Sequence, residues 1–555
     1  MIASSSAALE PSPEPSPLPV PEALLSGDPN PHTYAPIVEF LPDATTAGPK
    51  GLPESVTKHL ITGTSAYGAS VALERGAGFF ANILAARLGG TATFGSYALA
   101  INTATNISTY AAGQIGATAA RFSGKYPQGS PGYPSLMRAL AIVSLVSATI
   151  ASLGLWFGAG PIAHLLGKDN FVTLLRCAWV SAAGVVLLEC ARGFFVGQRF
   201  VAALLSLSLT VGAGMVFLLP YAAYKHSPRT MIELQGGIAL CAVGLCCLFG
   251  RQLGWLKPGL PSDALPVGNV LREVWSFGLV QLTGLVGTSL AGYWTTAMVA
   301  RGDRTLAQVS FFTVASQLRN LVSLPPSLLT EGSYAVMADP THEASQTPQR
   351  VMALCTFAAL SVSMILGAVG IVLVPWGLTL LYGRSYGAAG AAVAVALAVA
   401  VAHMGTAPAA ARLSIVSIRS TAVTNALWAV FVAIGSTVFM LHGGSAWRAM
   451  AIFFGAHVVT SFAALGILKR RDRLPDGMIP LFAFSIVCIA ALALLSLWRG
   501  VNGREAAVTA VMILLVGITV TGLYAFGKRY DWLPPKSVFT RMVGKLGRVR
   551  EERHV

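Results

Sequence analysis

Between residues 63 and 526 the chain presents one apolar stretch after another, each long enough to cross a hydrocarbon core, which takes about 20 helical residues. Fourteen can be drawn, at 63–86, 93–118, 137–159, 170–191, 200–223, 230–250, 275–299, 307–330, 351–382, 387–410, 421–441, 446–467, 478–498 and 506–526. Little else is open to such a chain, because in lipid every backbone N–H and C=O must be bonded internally, and each stretch is therefore expected to be a helix. The stretch 351–382 is too long for one upright helix and should tilt, kink or overrun the interface. With 54% hydrophobic and 11% charged residues, the chain lacks the polar coat that a soluble protein would need. The expected fold is all-α and polytopic, with about fourteen membrane-crossing helices.

The net charge of +15 does not indicate nucleic acid. Lys and Arg punctuate the ends of apolar segments, as in the group Lys469, Arg470, Arg471 and Arg473, and form no basic patch interleaved with aromatics. Counting them loop by loop favours both termini in the cytoplasm. All seven Cys lie within apolar runs and read as small hydrophobes, with no disulfide or metal role. Residues 1–57 differ in kind, holding 12 of the 31 Pro and seven acids against one base. They read as a disordered cytoplasmic tail or, alternatively, a docking arm. The tail 527–555 carries eight bases, and Val538, Phe539, Met542, Val543, Leu546 and Val549 recur at helical spacing. It reads as a helix on an anionic leaflet or as a frayed, solvated end.

Short outer loops leave no room for an extramembrane catalytic domain. No phosphate-binding P-loop, HExxH, CxxC pair or nucleophile elbow occurs. This argues for moving a solute, not for an enzyme or an ATP-driven pump. Ala86-Arg87-Leu88-Gly89-Gly90-Thr91 and Ala300-Arg301-Gly302-Asp303-Arg304-Thr305 read alike, each preceding a segment with aromatics. They suggest two six-helix lobes, 58–259 and 260–470, related by an axis along the membrane normal, followed by two extra helices in 471–526.

The stretch LAARLGGTATFGSYALAINTATNISTYAAGQIGATAARF (84–122) resembles the opening hairpin of Wzx-type polysaccharide flippases, within the multidrug/oligosaccharidyl-lipid/polysaccharide exporter superfamily. RGFFVGQRFVAALLS (192–206), VSFFTVASQLRNLVSLPPSLL (309–329), LYGRSYGAAGAAVAVALAVA (381–400) and NALWAVFVAIGSTVFML (425–441) are similar to the same family at matching places. The resemblance spans about residues 60–470 and implies two lobes around a central cavity that opens alternately to each face. It implies a bacterial inner-membrane flippase that carries an undecaprenyl-diphosphate-linked oligosaccharide for exopolysaccharide, capsule or O-antigen synthesis. No cofactor is expected beyond an H⁺ or Na⁺ coupling ion, and the polymerase and chain-length components of the pathway are expected partners. The rival readings are a multidrug/cation antiporter, whose cavity would be acidic and aromatic, and a lipid II flippase. From another class come a membrane-embedded polymerase, which would need larger outer loops, and a scaffold.

An intramembrane charge costs roughly 2.5–3.5 kcal/mol on insertion scales, so each demands a partner or a wet cavity. Arg75 and Arg319, one in each lobe, are candidate ligands for a diphosphate, because a guanidinium holds phosphate oxygens bidentately at any physiological pH. The alternative for both is interhelix pairing. Glu74 is a candidate proton or sodium site. Glu189 and Arg192, three apart, read as a structural or gate pair, and Arg176 as a snorkelling end residue. Asn102, Asn106, Gln281, Gln317, Tyr97, Tyr293 and Trp294 are candidate sugar contacts or helix-packing groups. Pro325-Pro326 is a candidate hinge. His403 and His457 read as core residues.

Overall fold

The computed structural model describes residues 54–252, 265–338, 347–440, 443–502 and 505–533. Most of the acidic N-terminal tail and the basic periodic run after residue 533 lie outside them. Sixteen α-helices make up the described chain: α1 (Glu54–Ala112), α2 (Ile115–Lys125), α3 (Tyr133–Leu165), α4 (Val172–Cys177), α5 (Trp179–Gly197), α6 (Val201–Tyr224), α7 (Pro228–Gln252), α8 (Val267–Gly302), α9 (Ala307–Ala338), α10 (Thr347–Tyr382), α11 (Gly390–Met404), α12 (Ala407–Val416), α13 (Ile418–Met440), α14 (Ala446–Arg470), α15 (Met478–Asn502) and α16 (Glu505–Arg529). No strand occurs among the described residues.

α1 is two helices joined at Gly90, whose φ of 76° and ψ of 175° a side chain would resist. The chain folds back there. Glu74 in the first arm reaches Arg192 of α5, and Gly116, just past the second arm, lies against Glu189 of the same helix. Ten helical stretches are long and apolar enough to cross a bilayer: α3, α5, α6, α7, α10, the run 384–416 that holds α11 and α12, and α13 to α16. The other four expected segments, 63–86, 93–118, 275–299 and 307–330, fall in the two arms of α1, in α8 and in α9. These four are long but richer in Ser, Thr, Asn, Gln and charged residues. α10 runs 36 residues with Pro375 inside, as the long segment required.

The helices sort into two similarly arranged groups. In the first, the first arm of α1 runs along α6, while α5 packs among α2, α3 and α7. In the second, α8 runs along α13, while α11 packs among α9, α10 and α14. Matching details recur. A 3₁₀ turn precedes a broken rod in each lobe, at Asp169–Phe171 before α4 and α5, and at Arg384–Ala389 before α11 and α12. α15 and α16 add to the second group, against α10, α11 and α14.

The helix ends within the membrane region fall at residues other than the proline pair. α9 passes through Pro325-Pro326 as one helix. Within the membrane region the interruptions are Gly113-Gln114, both at positive φ, between the second arm of α1 and α2, Ala178 between α4 and α5, and Gly405-Thr406 between α11 and α12. The proline pair is tolerated because an α-helix loses only the donors of two residues, whereas Gly113 and Gln114 adopt left-handed backbone that ends a helix outright.

Candidate functional site

The four polar rods meet where the two lobes touch. The second arm of α1 carries Thr103 and Asn106 on its inward side, and α8 answers with Tyr293 and Ser289. Thr103 Oγ1 lies 3.1 Å from Tyr293 Oη, and Ser289 Oγ donates to Asn106 Oδ1 at 3.0 Å. Asn106 Nδ2 in turn donates to the Asn102 carbonyl and to Asn102 Oδ1. Polar groups are placed here because each lobe's outer helices face lipid and carry the apolar surface, leaving hydroxyls and amides for the seam. The seam can therefore contact a sugar hydroxyl at the cost of exchanging one hydrogen bond for another.

Each lobe carries an arginine on one of these rods. Arg319, on α9 of the second lobe, is half-buried, and its side-chain contact is with Asn320 Oδ1 at 3.3 and 3.4 Å. Arg75, on the first arm of α1, is exposed. Among the described residues neither forms an ion pair with a carboxylate. Gln317, two residues before Arg319 and so on the other side of α9, buries its Oε1 without a hydrogen-bond donor. An arginine at this depth whose charge is not neutralised favours an anion.

The acids of the first lobe are not free. Arg192 Nη2 holds Glu74 Oε1 at 2.5 Å and its Nη1 holds Glu189 Oε1, while Ser208 Oγ donates to Glu74 Oε2 at 3.3 Å. Glu74 and the Glu189–Arg192 pair, read separately in the sequence, thus form one three-residue cluster. Gly116 beside Glu189 links the cluster to the break at Gly113-Gln114.

Several other sequence candidates lie elsewhere. Tyr97 is buried within the first lobe and donates from Oη to Gln235 Oε1 at 2.6 Å. Its phenol is drawn inward by the one amide on α7 at its level. Trp294 points away from the seam, donating from Nε1 to Thr437 Oγ1 at 2.9 Å. It floors a lateral groove of about 640 Å³ between α8 and α13, lined with Leu290, Ala433, Ile434 and Val438. Arg176 lies over the Trp156 ring at 5.7 Å, near the end of its helix. The side chain of Gln281 lies outside the described residues.

Two sets of contacts bridge the lobes above and below the seam. On the face that bears the chain ends, Lys125 pairs with Glu273 at 2.7 Å, Arg121 stacks over Phe277 at 4.5 Å, and Gly113 crosses Gly278 so closely that a Cβ would stand 2.9 Å from its carbonyl oxygen. On the opposite face Arg87 donates to the Leu380 carbonyl and Lys168 to the Asp303 carbonyl, each at 2.6 Å. Burial there pushes the Lys168 ammonium below its usual pKa. Gly95 meets the Leu306 carbonyl, to which a Cβ would come within 2.0 Å. These glycine crossings, like the Ser289–Asn106 bond, carried no sequence signal beyond small residues in polar segments.

Residues 60–328 match the family described as polysaccharide biosynthesis protein. No curated protein sequence matches the chain. Among solved structures, the lipid II flippase MurJ in an inward closed conformation is similar over 83% of this chain and 98% of its own, with 12% identity and a TM-score of 0.59. A transporter of the MOP superfamily from Pyrococcus furiosus, described as having a binding pocket of reverse polarity, is similar over 80% of this chain and 99% of its own, at 13% identity and a TM-score of 0.52. An inward-facing multidrug resistance MATE family transporter of the same superfamily covers 77% and 95%, at 15% identity and a TM-score of 0.50. Identities this low speak for the fold and not for the cargo.

Proposed function

We propose that this chain, which matches the polysaccharide biosynthesis protein family over residues 60–328 and shares the fold of MOP superfamily transporters, flips an undecaprenyl-diphosphate-linked oligosaccharide from the inner to the outer leaflet of a bacterial inner membrane. The observation that supports this reading is Arg319, a half-buried guanidinium on α9 with no carboxylate partner among the described residues. A diphosphate supplies the missing counter-charge through strong, charge-assisted hydrogen bonds. Arg75 supplies a second cation from the other lobe, and Asn102, Asn106 and Tyr293 offer hydroxyl and amide contacts to the sugars. Transport proceeds by alternating access: the Lys125–Glu273 face and the Arg87–Leu380 face open in turn, with both termini in the cytoplasm and an H⁺ or Na⁺ gradient as the driving force. The product feeds a polymerase and its chain-length partner on the outer face.

A cation antiporter would need exposed carboxylates in the seam, whereas Glu74 and Glu189 are both engaged by Arg192. The test is transport of a fluorescent lipid-diphosphate oligosaccharide in proteoliposomes, with lipid II and an organic cation as competing cargoes. Flipping of the oligosaccharide lipid, lost in Arg319→Gln at equal insertion, supports the reading. Extrusion of the cation, or flipping of lipid II alone, replaces it.

A further inference from the structure

The two segments that read alike in the sequence, 86–91 and 300–305, lie on the face opposite the chain ends, and each sets an arginine against a helix end of the other lobe. Arg87 donates to the Leu380 carbonyl in the last turn of α10, where a helix leaves its carbonyls without N–H partners. Arg301 packs on Gly167 just past α3, with 3.5 Å between its Cγ and the place a Gly167 Cβ would take. α3 and α10 are the matching helices of the two lobes, each followed by a 3₁₀ turn, and each turn brings a second cation: Lys168 just before Asp169–Phe171, and Arg384 at the start of Arg384–Ala389. Lys168, like Arg87, donates across the lobe boundary, to the carbonyl of Asp303, the residue that ends α8. Tyr386 Oη, 2.8 Å from Ser310 Oγ, ties the second turn to the start of α9, where Gly95 meets the Leu306 carbonyl, so these contacts form one rim.

Little on the rim neutralises its charge. Asp303 turns both carboxylate oxygens to α9, accepting from Thr305 and from the Gln308 N–H, and Asp169 lies 3.6 Å from the exposed His164. Among the described residues Arg87, Lys168, Arg301 and Arg384 make no ion pair, and Arg304 adds a further exposed cation. Both donors, Arg87 and Lys168, belong to the first lobe and both carbonyls to the second, so the bonds last only while this face is shut. A phosphate oxygen offers the same hydrogen bond with a negative charge behind it, and is the stronger partner. Arg87 and Leu380 are exposed, so water can take the vacated carbonyl. We propose that this rim is a diphosphate-binding site, at which Arg87 and Lys168 leave the carbonyls for phosphate oxygens beside Arg301 and Arg384, and that the exchange opens the face. An anion shifts the balance in this way because it finds the two cations available only in the open state. The inference rests on the diphosphate reading above for its cargo; a diphosphate ester leaving the seam and free pyrophosphate in the medium present the same oxygens.

The test is the width of this face in the full chain in nanodiscs, read as the distance between genetically encoded spin-label side chains at Asn170 and Ser385, both exposed. The face is titrated with inorganic pyrophosphate, with polyprenyl-diphosphate-linked N-acetylglucosamine, and with sodium chloride at matching ionic strength. The expected result is a longer distance with either diphosphate and not with chloride, the ratio of open to closed rising about tenfold at saturation. In Arg87→Gln/Lys168→Gln the distance should no longer depend on diphosphate, and Arg87→Lys, which keeps the charge, should retain part of the response. A distance in the unaltered chain indifferent to both diphosphates overturns the inference, whether or not the variants fold, and leaves the diphosphate reading standing where the lipid still binds. Opening by the lipid alone assigns the response to the seam and overturns the rim. Opening by pyrophosphate without binding of the lipid keeps the rim as a free-anion site and overturns the cargo reading, and opening that persists in the double variant removes Arg87 and Lys168 from the role.

Discussion

Arg192 and Arg319 are both arginines at membrane depth, yet they should respond oppositely to removal. Arg192 neutralises two carboxylates, so Arg192→Ala leaves Glu74 and Glu189 crowded without a counter-ion. About 3 kcal/mol of stability should be lost, the low end for a broken buried pair because Glu189 stays partly hydrated. A lowered thermal midpoint in detergent checks it, and Arg192→Lys should restore part of the loss. Arg319→Gln removes a charge that no carboxylate balances, so the thermal midpoint should hold or rise while binding of the diphosphate lipid is lost. A marked loss of stability in Arg319→Gln would mean that the guanidinium is a structural tie after all.

Among the elements, the glycine crossings decide which faces can shut. Gly95 on the second arm of α1 touches the Leu306 carbonyl at the start of α9, and a Cβ there would come within 2.0 Å. Gly95→Val should hold that face apart. Cysteines placed near residues 87 and 380 should then label readily from outside, and transport should stop with insertion unchanged; labelling equal to the parent would refute the crossing as a gate. Much of the helical layout was legible in advance: ten of the fourteen expected segments fall in helical stretches long and apolar enough to cross a bilayer, the other four fall in α1, α8 and α9, and the turn at Gly90 carries the Gly-Gly signal. The breaks were less so. Pro325-Pro326 drew attention as an expected hinge, while Gly113-Gln114 has no proline to mark it. Gly405 with Pro408 did carry a helix-stop and helix-start signal. Side-chain direction was the larger gap. Tyr97 and Trp294 face α7 and α13, because which side of a rod meets which neighbour depends on tertiary packing, which the order of residues along one segment does not encode. The same gap hid His403 and His457, whose rings stack and whose meeting requires knowing that α11 packs on α14.

At the scale of the whole molecule, contacts bridge the lobes on both faces, and transport requires that they be broken alternately. Lys125–Glu273 is an exposed pair worth about 0.2–1 kcal/mol, little against global stability. A difference of that size still shifts a two-state balance by up to about fivefold. Lys125→Glu should open the face bearing the chain ends, seen as a longer spin-label distance between α2 and α8, and Glu273→Lys added to it should close the face again. Failure of the double reversal to restore the short distance would deny the pair any part in setting the balance.

α15 and α16 lie against α10, α11 and α14, which makes the second lobe an eight-rod body beside a six-rod one. A larger body displaces more lipid and meets more viscous drag. When the two move against each other, most of the motion seen from the bilayer belongs to the smaller body. The first lobe then behaves as the rotor and the second, holding Arg319 and the histidine stack, as the stator.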